Sequence, residues 1–225
     1  MLQKIRRRDL ILLSGALALA CFTLLTVAIL ILRTQPVVGS SSALAPDNRP
    51  GPQPTHTVVF VEITGLSQQG VAQTTAAAWA ADAELVSING AWPEVLRVDQ
   101  VGEPTTWRYR YYSPGKARQL FVTVEPDQRV RAVEHQVRVT LPPRTVAMDA
   151  WAVDSPTALA LWLDNGGSEL LRTNPGLELV AQLRTVSQNP HPIWVVVGLD
   201  KRTGDIHVVA VDANQGWVIS TSPGL

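Results

Sequence analysis

Acid–base, metal or nucleophilic chemistry in this chain would have to come from a short roster: His56, His135, His191 and His207, the lone Cys21, and a few carboxylates. The histidines fall in different segments with no pair at helical or zinc-finger spacing, so they read as surface or strand residues. Glu125 and Asp212 hold equivalent turn positions in two similar segments. Two carboxylates share acid–base work only where they converge in a cleft; one per turn reads instead as a cap for backbone donors. Asp164, Asn165, Gly166, Gly167 and Ser168 have the composition of a calcium loop but lack its spaced oxygens and closing Glu, which makes a helix end the better reading. The sequence contains no Gly-x-Ser-x-Gly elbow, phosphate loop or Gly-x-Gly-x-x-Gly turn. Hence the expectation is no enzyme active site, no metal and no cofactor.

Surface is what remains. The run IWVVVGLDKRTGDIHVVAVDANQGWV, residues 193–218, reads as a strand, a tight turn, a second strand and the start of a third. Placing Trp107 on Trp194, an offset of 87, lays WRYRYYSPGKARQLFVTVEPDQRV over the same pattern without a gap. An Ala- or Leu-rich stretch and one strand precede each hairpin, so the chain reads as two copies of a helix-then-sheet unit. In the first copy a helix spans residues 66–83, a strand 84–89 and an irregular connection 91–103, with a long third strand over 129–139. In the second, Asp154 or Ser155 caps a helix with Pro156 in its first turn, and Gly166-Gly167 ends or kinks it before a strand at 177–186. Trp107, Tyr109 and Tyr111 point to one face, Arg108, Arg110 and Tyr112 to the other, while residues 193–199 are apolar on both faces. A sheet open to water on one side would alternate with polar residues. Something therefore covers the second face: the other copy, a partner protein, or a second molecule. Trp107, Tyr109, Tyr111, Trp194 and Val196 are the candidate partner-binding residues on these strands.

Trp194, Val196, Thr203, Gly204, Ile206, Val208, Ala210, Asp212, Ala213, Gly216 and Val218 resemble the PepSY domain, a small α-plus-β unit related in shape to cystatins. The first copy departs from that pattern, with Glu125-Pro126-Asp127-Gln128-Arg129 in place of the Asp-Ala-x-x-Gly turn. One membrane span followed by two such units resembles the tandem PepSY-like surface proteins of bacteria. The resemblance covers about three quarters of the chain. It implies binding to, or restraint of, an extracytoplasmic enzyme such as a peptidase or cell-wall enzyme.

Leu10 to Leu32 is an uncharged run of 23 residues, about 34 Å as a helix and enough to cross a hydrocarbon core of about 30 Å. Lys4, Arg6, Arg7 and Arg8 precede it, which places the N-terminus in the cytoplasm and everything after Arg33 outside. A cleaved signal peptide would have a shorter apolar region. A lipobox at Cys21 would carry Leu where Ala18 stands, and would turn polar after the cysteine. The segment therefore reads as a single-pass signal anchor in contact with membrane lipid. Residues 34–225 hold 14 basic and 18 acidic groups, a net of −4, so no electrostatic footprint for nucleic acid exists. The expected fold class is α+β: a transmembrane helix, then two helix-on-antiparallel-sheet units. The expected divisions are 1–33 basic tip and anchor, 34–56 Pro-rich tether, 57–141 first unit and 142–225 second unit. The expected role is a non-catalytic extracytoplasmic protein-interaction module at the cell membrane, self-association being compatible with it. The alternative is a single-span accessory subunit of a larger membrane complex.

Overall fold

A computed structural model describes residues 63–222 except 104, 188 and 190. The anchor Leu10–Leu32, the tether, Cys21 and His56 lie outside the described residues. Among the described residues no helix is long and apolar enough to cross a membrane.

Eight antiparallel strands form one sheet: β1 Glu84–Val95, β2 Trp107–Ser113, β3 Arg118–Val124, β4 Val130–His135, β5 Leu177–Arg184, β6 Ile193–Leu199, β7 Ile206–Asp212 and β8 Val218–Ser222. Their spatial order is β4-β3-β2-β1-β5-β6-β7-β8. This corrects the expected fold class. Two separate helix-on-sheet units do not form, because β1 and β5 pair antiparallel from Ser87↔Arg184 to Val95↔Leu177 and carry one ladder through the middle. Apart, two four-stranded sheets would leave the inner edges of β1 and β5 with unpaired N–H and C=O groups beside a buried core; joined, those groups satisfy each other.

The internal repeat survives inside this single sheet. Trp107↔Val124 and Trp194↔Val211 are the same register in the two hairpins, at the same offset of 87. β1 extends well past Asn89, where the sequence suggested an end. Pro93 has no N–H for a ladder, and it falls where the β1–β5 register shifts between Trp92 and Val95. β4 is shorter than expected, and the chain leaves it at His135.

Helices roof one face of the sheet. α1, Gln69–Trp79, buries Ala72 and Ala76, one turn apart, so the helix sits close on β2 and β3. Its start is secured by Thr64 and Ser67, each donating its N–H to the other's hydroxyl at 2.8 and 3.1 Å. α2, Ser155–Trp162, starts at Asp154, whose carboxylate accepts the Ser155 N–H at 2.6 Å, with Pro156 in the first turn. A wide turn, Leu163–Gly167, then kinks the chain into α3, Ser168–Thr173. Gly166 takes φ +113°, a conformation that favours glycine, and permits the kink. Asp154 also accepts the Leu66 N–H at 2.9 Å, and the Ser155 hydroxyl accepts the Gly65 N–H at 3.1 Å, which ties the two helix entries together.

Candidate functional site

The five residues expected to meet a partner lie in the core instead. Trp107, Tyr109, Tyr111, Trp194 and Val196 are all at most 1% exposed beneath the helices. Trp107 and Trp194 pack edge to face at 6.4 Å, flanked by Trp92 and Trp151. Their indole N–H groups make matching contacts: Trp107 donates to the Ile63 carbonyl at 3.1 Å and Trp194 to the Val153 carbonyl at 2.8 Å, each just ahead of a helix. Tyr109 donates its hydroxyl to the Gly65 carbonyl at 2.7 Å, and burial pushes both the Tyr109 and Tyr111 hydroxyls well above the ordinary tyrosine pKa. These residues hold the sheet to its roof and present nothing to a partner.

The other polar candidates are engaged locally. Asp212 accepts the backbone N–H groups of Asn214 and Gln215 at 2.8 and 2.9 Å and faces His191 Nδ1 at 3.2 Å. Glu125 accepts from the Thr106 hydroxyl at 3.1 Å. His135 rests edge-on against Phe121, and His207 donates from Nε2 to the Asn165 carbonyl at 2.7 Å. Asn165, Gly166, Glu169, Thr173, His207 and Thr221 line a shallow groove of about 400 Å³ beside the kink. Glu169 is ion-paired with Arg172, and Thr173 bonds back to the Glu169 carbonyl, so neither is poised toward a ligand. The Asp164–Ser168 segment is the kink itself, between two helices. Among the described residues no three His, Cys, Asp or Glu side chains gather as a metal site.

The second face of the sheet is the feature that stands apart. Strand pairing sets its rows: Arg131, Thr123, Arg108, Asn89, Gln182, Val195, Ala210 and Ser220 run across the strands from β4 to β8. Above them Ala91, Val180, Val197 and Val208 follow in line. Below them stand Val133, Phe121, Arg110, Ser87 and Arg184. The helices pack on the opposite face, so Val180, Val195, Val197, Leu199 and Val208 remain half-buried and Ile206 is exposed. Arg108, Arg131 and Arg184 are exposed and Arg110 is half-buried. Among the described residues no carboxylate pairs with any of these four arginines. The face is thus aliphatic across β5, β6 and β7 and cationic from the edge strand β4 across to β5. The alternation of Arg108 and Arg110 with aromatics, and the doubly apolar β6, are the sequence signals of this surface; Arg131 and Arg184 carry no signal until pairing aligns them.

No protein-family model matches the chain, and no curated protein matches it. Among solved structures, a presumed lipoprotein (CD1622) from Clostridium difficile 630 is similar at a TM-score of 0.48 and 6% identity, over 73% of this chain and 95% of that one. A likeness at this level leaves any reading of function to the chain's own residues.

Proposed function

We propose that the chain is a non-catalytic binding module, held at the outer side of a membrane by Leu10–Leu32, that docks an extracytoplasmic enzyme on the unroofed face of its sheet. The observation that carries this reading is the contrast between the two faces. One is covered by α1, α2 and α3; the other places Val180, Val195, Val197 and Val208 in adjacent rows with no element of the described chain above them. An antiparallel sheet facing only water would carry polar residues there, and a contiguous apolar patch of this kind marks an interaction surface. Eight strands spaced about 4.8 Å and mostly seven or eight residues long make a face of about 900 Å². That is close to the area of about 800 Å² that each partner contributes to a standard protein interface.

The test is affinity purification of the full-length protein in mild detergent, beside a Val195→Lys, Val197→Lys variant whose fold is verified by circular dichroism. A peptidase or cell-wall enzyme that accompanies the wild type stoichiometrically is lost from the variant. Retention in the variant would overturn the reading. If, in addition, exchanging Leu10–Leu32 for an unrelated span abolished the association, the chain would be an accessory subunit working through its span.

A further inference from the structure

Resting on that reading, we infer that the partner docks with an acidic protein surface whose carboxylates meet Arg108, Arg110, Arg131 and Arg184 while an apolar stripe beside them covers the valines of β5–β7. Four features carry this. All four unpaired cations on the strands of this face are arginine, the side chain whose planar fork matches a carboxylate through two parallel hydrogen bonds. They form a grid: Arg110 and Arg184 flank Ser87, and Arg108 and Arg131 flank Thr123, so each pair spans two strand spacings, about 10 Å. Arg110 Nε is buried with no hydrogen-bond partner among the described residues, and burial lowers that guanidinium's pKa. A buried donor without an acceptor is unfavourable until one is supplied. Finally, the rest of the described face does not answer the charge: Glu84 lies at the end of β1 and Glu178 pairs with Lys201 at 2.6 Å.

That last point sets aside a second copy of the chain as the occupant. Face to face, two such sheets would bring arginines over arginines or over valines, because Glu84 stands at a strand end and Glu178 is already paired with Lys201. An anionic bilayer is also less suited, because Val180, Val195, Val197 and Val208 are half-buried side chains of a broad sheet and not the exposed apolar face of an amphipathic helix.

The experiment uses the full-length protein in mild detergent and a random glutamate–tyrosine copolymer as an acidic, partly apolar polypeptide, with polylysine as control. Modification of Arg108 and Arg131 by phenylglyoxal, read by mass spectrometry, reports cover of the face. The copolymer slows modification and polylysine does not. The Arg108→Glu, Arg131→Glu variant binds the copolymer at least about tenfold more weakly, a loss of about 1.4 kcal/mol or more. Should the reversal fail to fold, Arg108→Gln, Arg131→Gln gives the same comparison. Copolymer binding that is absent, or indifferent to these substitutions, overturns the inference. Slower modification in liposomes of equal phosphatidylcholine and phosphatidylglycerol than in phosphatidylcholine alone, without any copolymer effect, also overturns it in favour of a lipid surface. A native partner lost from the Val195→Lys, Val197→Lys variant but kept by the arginine variants defeats this inference and leaves the docking reading standing. A partner kept by both defeats the docking reading itself.

Discussion

Gly90 shows how much a single missing side chain decides. A Cβ there would lie 2.5 Å from the Trp107 ring, which crosses over β1 at that point to reach Trp194. Gly90→Ala should therefore destabilise the protein by about 1–3 kcal/mol, the usual range for an overpacked core. Combining it with Trp107→Phe should cost less than the sum of the two single changes, since the smaller ring vacates the space. Urea unfolding followed by circular dichroism measures all three, and strict additivity would show that the ring is not the cause. In the sequence, Asn89-Gly90 read as a strand end, because a glycine needed for close approach and one needed for a turn look alike. That Trp107 and Trp194 hold equivalent positions was legible from their offset; their contact and their burial were not, since an aromatic in a strand suits a core and an interface equally well.

Among the elements, α1 and the edge strand β4 are held together by one carboxylate. Glu134 accepts from Arg118 at 2.6 Å and from the Trp79 indole at 2.7 Å, and Lys116 lies 4.7 Å over the Trp79 ring. The Arg118 hydrogen bond, and then that of Trp79, hold the Glu134 pKa below the ordinary glutamate value. A carboxylate depressed in the folded state contributes its stability above its unfolded pKa and loses it as pH falls through the folded one. Thermal melts should therefore place the wild type above Glu134→Gln near neutral pH, with the gap closing on the acid side of about pH 4.3. A gap that stays constant down to acid pH would refute the link. Element existence was largely legible: β7 falls on Ile206–Asp212 as expected, and Asp154 caps α2. Element ends were less so. α1 is shorter than its run of alanines suggested, and β1 is longer because β5 lies beside it to pair with residues that in isolation look irregular.

At the level of the whole molecule, the central β1–β5 ladder makes the two repeats depend on each other. Residues 57–141 expressed alone should show no cooperative unfolding transition, and co-expression with residues 142–225 should restore one. Independent cooperative folding of either half would show that the ladder is dispensable. The sequence by itself determined the duplication, the hairpins with their turns, and the apolar alternation of their strands, because each of these rests on spacings of a few residues and on local conformational preference. Only the tertiary structure decided that the repeats share one sheet, that Trp107, Tyr109, Tyr111, Trp194 and Val196 face inward, and that four arginines and a patch of valines face outward on the same side. The physical reason is that pairing Ser87 with Arg184 joins residues 97 positions apart. Such a choice is settled by the backbone groups and apolar area satisfied across the entire core, which no local pattern encodes.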